Sequence, residues 1–387
     1  MAQSESNRVS VRYKEETVWN ETPSSPVMIE LPYTAETLMY DKRTVKSNTV
    51  RADRLTDDVI EVGGGSSGDI NYEYKFGDYE AFIGAALGTA AFTSATFTGA
   101  AGNLDFASAG GGQQVITAPA ATWNNYVVGA YVRISGANAA NNGVFRITAK
   151  TSTTLTVNNA TGTAQADADG AVVLMKTART GTTKRSFLME KGFLDIAQFI
   201  SFRGMRVGAW AMNVESEAIV TGSFSLVGAG AFAAGTTISS SVTPQGSLSI
   251  ANATSNIGRI EENGVALTTK LRSVKFNLNA NPRSLPAIGN KFPIGVNLGS
   301  FEITGTVDAY FEDLTLYNKF LSHEDSSLVL EIDSPEDDRT IITISSLKFT
   351  KASPAGAGLN QDVMVSLDFT AKKDSTFTTM MQVDLLT

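Results

Sequence analysis

The chain has 387 residues, 42% hydrophobic and 18% charged, with a formal net charge of -8 and a sequence pI of about 4.9. That length exceeds one ordinary domain and predicts two or three. The acidic balance argues against a protein that grips nucleic acid by neutralising phosphates with Lys and Arg, though not against a surface that DNA merely passes. With no cysteine there are no disulfides, thiolate nucleophiles or Cys-ligated metals, which suits assembly in a reducing cytoplasm.

The 20 Phe, 10 Tyr and heavy load of Thr, Ser, Val and Ile fit pleated, half-buried surfaces and predict a mainly β chain. The N-terminal stretch MAQSESNRVSVRYKEE has no apolar run of the kind a signal peptide needs, and no stretch of about 18 apolar residues follows, so neither secretion nor membrane insertion is expected.

In chain order, the first informative segment is Asp41 to Glu61. It gathers Lys42, Arg43, Lys46, Arg51, Asp53, Arg54, Asp57, Asp58 and Glu61 with few apolar residues and no clear period. A loop of this length is functional or disordered, and its mixed signs suit a protein surface of complementary charge better than DNA; an ordinary solvated loop is the plain alternative. Next, GDINYEYKF (68–76) alternates strictly, with Ile70, Tyr72, Tyr74 and Phe76 on one face and Asp69, Asn71, Glu73 and Lys75 on the other. This predicts a half-buried strand. Asp78 is placed to cap a short helix carrying Tyr79, Phe82, Ile83 and Ala86, with Gly88 placed to stop it.

An interruption runs from about Phe97 to Met175. It opens in TGAAGNLDFASAGGGQQ (98–114), a linker composition, and continues as a compact β module: Val127–Ser135, a GANAANNG turn at 136–143, Val144–Ala149, Thr153–Val157 and Ala171–Met175. Asn142-Gly143 is a hairpin signal. GAGAFAAGTTISSSVTPQGS (228–247) reads as a second flexible tract.

Four blocks recur in order, and such self-similarity predicts an internal duplication. ETLMYDKRTVKS (36–47) matches KLRSVKFNLNAN (270–281), and GDINYEYKFGDYEAFIGAAL (68–87) matches GTVDAYFEDLTLYNKFLS (305–322). KRSFLMEKGF (184–193) matches DRTIITISSLKF (338–349), and AIVTGSFSLVGA (218–229) matches DVMVSLDFTAKK (362–373). The plain alternative is that antiparallel β segments resemble one another by period alone.

No catalytic constellation stands out. The single histidine, His323 in LSHEDSS, follows a helical stretch and reads as a cap or turn residue. Asp333, Glu336, Asp337 and Asp338 lack the spacing of a calcium loop and read as a solvated connection around Pro335. GGGSSG (63–68) and GAGAFAAG (228–235) share the glycine density of phosphate-cradling loops, lack the Walker Lys-Ser/Thr, and read as flexible turns. No catalytic, cofactor-binding or metal-binding residue is assigned.

The order ETVWNETP (16–23), ETLMYDKR (36–43), RADR (51–54) and GDINYE (68–73) resembles the major tail tube proteins of long-tailed siphophages. FLMEKGFLDIAQFISFRGMRV (187–207), AIVTGSFSLVG and the final third resemble the same family, and the 97–175 segment resembles a small β module recurrent in phage tail proteins. The resemblance implies a structural virion protein without cofactor or catalysis. It also implies two tandem tail-tube β-sandwich domains, each with a short flanking α-helix, plus an inserted small β-barrel-like domain. The expected boundaries are 1–96 with 176–235, then 97–175, then 236–387.

On that resemblance, subunits form rings whose inner strands join around a lumen, and rings stack into a hollow non-contractile tail through which double-stranded DNA passes without specific binding. The implied partners are the chain itself and the tail terminator, tape measure and tail-tip proteins, with assembly in the host cytoplasm and no membrane. Arg51, Asp53, Arg54, Asp57, Asp58 and Glu61 are the expected inter-ring loop residues, within 41–67 and its counterpart 279–299. Asp69, Asn71, Glu73, Lys75 and Asp308 are the expected lumen-facing residues. A duplication makes three chains per ring sufficient for pseudo-sixfold symmetry. An external 97–175 module favours a naked tube over the inner tube of a contractile tail or secretion system, and deletion of 100–175 is expected to spare assembly. A tail-tip carbohydrate-binding β protein is the alternative of another class.

Overall fold

The computed structural model describes residues 3–267, 270–355, 358–359 and 361–387. The N-terminal segment carries β1 (Val9–Glu15), β2 (Val27–Glu30), β3 (Ala35–Glu36), β4 (Met39–Lys46), β5 (Val59–Glu73) and α1 (Glu80–Leu87). There follow β6 (Thr93–Thr98), β7 (Asp105–Gly110), β8 (Gln113–Thr117), β9 (Tyr131–Ser135), β10 (Gly143–Lys150), β11 (Thr154–Val157) and β12 (Val172–Arg179). Next come β13 (Phe187–Phe193), β14 (Gln198–Glu215), β15 (Thr221–Gly228), β16 (Gly230–Ala234) and β17 (Ser241–Thr243). Then come β18 (Ile257–Glu262), β19 (Val265–Ala266), β20 (Leu271–Asn279), β21 (Arg283–Leu285), β22 (Gly295–Asn297) and β23 (Glu302–Tyr310). The chain ends with α2 (Thr315–Ser322), β24 (Ser326–Asp333), β25 (Arg339–Ala355), β26 (Met364–Ala371) and β27 (Met381–Leu386). The protein is mainly β, as its composition predicts.

Two compact units emerge: residues 1–90, 182–253 and 272–307 form the first, and 91–181, 254–271 and 308–387 the second. In the first unit, β14 is long enough to serve two sheets. Its N-terminal half pairs with β13 and β16, and β13 pairs in turn with β1. Its C-terminal half pairs with β15 and β20, and β15 pairs with β5. Ile70, Tyr72, Tyr74 and Phe76 are buried, so the alternation of 68–76 is realised.

The core of this unit is aromatic. Tyr72 stacks on Phe224 with ring centroids 4.9 Å apart, Phe82 of α1 stacks on Phe187 at 4.7 Å, and Tyr13 meets Phe82 edge-on at 4.9 Å. Such pairs add about 0.5–1.5 kcal/mol each beyond area burial. Helix α1 stops at Gly88, whose left-handed φ of 69° and backbone N–H close the last turn. Asp78 is not its cap. Tyr79 holds the N-cap position, while Asp78 accepts a bond from Gly246 N at 2.8 Å and pairs with Lys75 at 3.7 Å.

Several tracts that read as flexible are strands. GGGSSG lies inside β5, because glycine is what the close crossing of the preceding chain requires. A Cβ on Gly64 would stand 2.2 Å from the Tyr40 hydroxyl, and one on Gly68, at φ +152°, would stand 2.6 Å from Leu38 Cα. The second tract, 228–247, supplies β16 and β17, the latter pairing in parallel with β2.

In the second unit, the 98–114 tract likewise is no linker. Leu104 and Phe106 are buried with Trp123, Ile116, Ile134 and Val173 in one cluster, and Gly110, Gly111 and Gly112, all at positive φ, turn β7 into β8. The β9–β10 hairpin exists, but not through a tight Asn142-Gly143 turn. A 3-10 turn at Ala139–Asn141 lengthens the loop, and the Asn142 side chain spans it by bonding Ala137 N and O at 2.9 Å each. Strand β12 pairs with β6 and β9 and then, at Thr177 to Arg179, with β27.

The strand pairing of 187–228 recurs in 326–371. Register shifts fall between Phe187 and Met189 opposite Met205 and Phe202, and between Ser326 and Leu328 opposite Leu347 and Ile344. Further shifts fall after Val207 and after Phe349. Met205 and Leu347, Phe202 and Ile344, and Val207 and Phe349 are each 142 residues apart. Bulges are specific local features, so their coincidence is stronger than shared period. It aligns β13 with β24 and β14 with β25, which moves the sequence match of 184–193 from 338–349 to the preceding strand. The match of β15 with β26 stands.

Candidate assembly surfaces

The charged segment 41–61 is a β-hairpin arm rather than a long loop. β4 and β5 pair from Met39 opposite Ser67 to Lys46 opposite Val59, which leaves only 47–58 irregular. At the tip, the Arg51 guanidinium donates to Asp53 through Nε at 3.0 Å and Nη2 at 2.7 Å, and to Asp57 through Nη1 at 2.6 Å. The hydrogen bond from Arg51 holds the Asp53 carboxyl below its ordinary value. Arg54 adopts a left-handed φ of 60°, and Asp58 accepts a bond from Val59 N at 2.7 Å. Around these charges, Val50, Leu55, Val59, Ile60 and Val62 are all more than half exposed.

Glu61 sits apart from the tip, at the base of the arm. It accepts bonds from Lys291 Nζ and the Tyr40 hydroxyl, both at 3.2 Å. Lys291 belongs to the hairpin of β21 and β22, within the 279–299 segment. Phe292 meets the Tyr40 ring edge-on at 5.9 Å, and Gly64 N donates to Lys291 O at 3.2 Å. The 41–67 segment and the 279–299 segment expected as its counterpart are therefore in contact within the first unit.

The outer face of the β5-β15-β14-β20 sheet is a grid of residues that are small, polar or both. Asp69, Ser225, Ala209 and Asn279 form one row, and Asn71, Ser223, Ala211 and Asn277 the next. Glu73, Thr221, Asn213 and Lys275 form the third. Three of these twelve are charged, and none is aromatic or a large aliphatic residue. Asp69 and Asn71 are exposed and Glu73 is half-buried. Lys75 lies beyond the rows, where its ion pair with Asp78 occupies it, and Asp308 is half-buried in β23.

His323 and the acidic run at 333–338 make local backbone contacts. His323 is the C-cap of α2 at φ 53°, donating its backbone N–H to Phe320 O at 3.2 Å. Ser334 Oγ accepts from Glu336 N and Asp338 N at 3.1 Å each, folding the acidic run into the β24–β25 turn. Among the described residues no group of three or more His, Asp and Glu is placed to hold a metal ion, and no helix is long and apolar enough to cross a membrane.

A mainly β chain of this length with an exposed charged arm and a polar sheet face has the features of a structural, self-associating protein. Residues 6–371 match the family described as phage tail tube protein, and the chain belongs to that family. No curated protein matches it. The role is therefore structural, in the tail tube of a phage virion.

Proposed function

We propose that this tail tube protein is the major subunit of a long non-contractile tail, forming rings that stack into the conduit for genomic DNA. The observation that carries this reading is the three-row polar grid on the β5-β15-β14-β20 face. A lumen must let a polyanion slide, which requires few Lys and Arg and no apolar platform on which bases stack. This face, with Asp69, Asn71 and Glu73 on it, meets both requirements. Lys75 is withdrawn from the lining by its pairing, and Asp308 is its second-copy candidate.

The arm, with Arg51, Asp53, Arg54, Asp57 and Asp58 at its tip, reaches the next ring, and charge complementarity sets the register of stacking. The recurrent bulges support two tube domains per chain and hence three chains in a pseudo-sixfold ring. The tandem boundaries 1–96 with 176–235, and 236–387, follow from that reading. The 97–175 module decorates the outside, which favours a naked tube over one enclosed by a sheath. The tail terminator, tape measure and tail-tip proteins are the proposed partners, met after assembly in the host cytoplasm.

A negative-stain micrograph of the purified chain tests the proposal. Tubes with an axial channel are expected; monodisperse globules at all concentrations overturn it.

A further inference from the structure

The open edge of β25 carries an inference that rests on the tube reading. The C-terminal half of β14 is paired on both edges, by β15 and by β20, the latter from Ala209 opposite Asn279 to Glu215 opposite Ser273. Ala280 N donates to Gly208 O at 2.8 Å and Ser216 N to Arg272 O at 2.9 Å. Even-numbered residues of β14 therefore direct their backbone groups at β20.

The equivalent stretch of β25, 142 residues on, pairs with β26 on one edge, and no strand pairs with the other among the described residues. By the same offset Thr350, Ala352 and Pro354 face that open edge. Pro354 has no N–H to present there, and Lys351 stands exposed beside it. Proline and lysine are how open edges resist indiscriminate pairing. Strand β4, the sequence counterpart of β20, likewise has no strand on its second edge among the described residues. Ser47 N donates to Asp58 O at 2.9 Å, so odd-numbered residues of β4 face β5, while Tyr40, Lys42, Thr44 and Lys46 face outward.

We propose that the open edge of β25 receives β4 of a second copy of this chain, antiparallel, so that the in-chain pair β14·β20 is repeated between chains. Carrying over the register of β14·β20 and the block match of 36–47 with 270–281 sets Val45 opposite Lys351, Arg43 opposite Ser353 and Asp41 opposite Ala355. Thr350 with Lys46, and Ala352 with Thr44, then exchange backbone hydrogen bonds. The outward-facing groups of both strands coincide in this register, and no like charges stand opposite. A two-residue slip sets Arg43 against Lys351, which disfavours it. Each chain offers one edge of each kind, so the contact is head-to-tail, the kind of interface from which closed rings are built.

The chain has no cysteine, which leaves an introduced pair without background. Arg43→Cys chains are mixed with Ser353→Cys chains, assembled, oxidised gently and run on a non-reducing gel. Facing residues at a non-hydrogen-bonded position lie close enough for a disulfide. The expected product is a band at twice the chain's mass that reduction removes. Tubes without that band, or with it only for the slipped pair Asp41→Cys and Ser353→Cys, overturn the pairing and leave the tube reading intact. Absence of tubes from the unmodified chain overturns the tube reading itself. Should the substituted chains not assemble, Val45→Cys with Lys351→Cys reads the neighbouring pair.

Discussion

Lys291 holds Glu61 across 3.1 Å, joining the base of the β4–β5 arm to the β21–β22 hairpin. Both side chains are partly exposed, so the pair steers the arm rather than stabilising the fold. The hydrogen bond from Lys291 keeps the Glu61 carboxyl below its ordinary value. The folded carboxyl thus releases its proton more readily, and the tie is present at neutral pH and lost as pH falls through that lowered value. Lys291→Ala is expected to leave the melting temperature unchanged while raising amide exchange across 40–46 and 59–64. High salt should do the same to the unmodified chain. Unchanged exchange in both experiments contradicts the steering role.

How far the arm was legible in the sequence follows from its solvation. GDINYEYKF shows its strand period because Ile70, Tyr72, Tyr74 and Phe76 face a core. The block 36–47 alternates and reads as a strand running into a polar turn, but its return strand at 59–62 is solvated on both faces, so nothing selects alternating side chains there and the period is lost across 41–61. In 98–114 only Leu104 and Phe106 report the core, and the surrounding Gly, Ala and Ser look like linker. Glycines 64 and 68 mark a close crossing that only the fold reveals. The polar grid was half legible: Asp69, Asn71 and Glu73 lie on it, but Ser223, Ala211 and Asn277 join them only through pairing of strands far apart in sequence.

Replacing the arm tip, residues 49–56, with an Asn-Gly turn suited to a two-residue hairpin should leave the fold intact. Circular dichroism is expected to be unchanged, and electron microscopy is expected to show isolated rings. Full-length tubes from this variant contradict an inter-ring role for Arg51, Asp53 and their neighbours.

In the core of the first unit, Trp210 Nε1 donates to the Tyr72 hydroxyl at 2.8 Å with both side chains buried. Tyr72→Phe leaves that N–H without its acceptor, and the expected cost is about 1–3 kcal/mol. Chemical denaturation reads it as an earlier transition, and no shift contradicts the assignment.

The second unit carries a buried acid. Asp384 is fully buried beside Thr177, accepts from Gln382 Nε2 at 2.7 Å and from Tyr131 N at 3.4 Å, and burial pushes its carboxyl up to about 6. An unfolded Asp titrates near about 3.9. The folded carboxyl binds its proton more tightly, so this contribution is complete below the unfolded value and lost as pH rises through about 6. The full span corresponds to roughly 3 kcal/mol as an upper bound. Asp384→Asn should remove the pH dependence between pH about 4 and about 7, read by denaturant midpoints. A slope retained in the variant contradicts Asp384 as its source.

Tyr131 of the 97–175 segment packs with Val329, Ile341 and Leu386, and β12 pairs with β27. Removing 100–175 strips those contacts, so the test of the module's place is a substitution. Tyr131→Ala is expected to cost about 3–5 kcal/mol, the range for truncating a large buried aromatic. A melting temperature unchanged by the substitution contradicts that packing.

An image reconstruction of assembled tubes shows which face lines the bore and how many chains form a ring. A hollow tube is expected, with three chains per ring and the Asp69, Asn71 and Glu73 face of β5 turned to the bore. A tube whose bore is lined by other strands, or by more Lys and Arg than Asp and Glu, contradicts that arrangement.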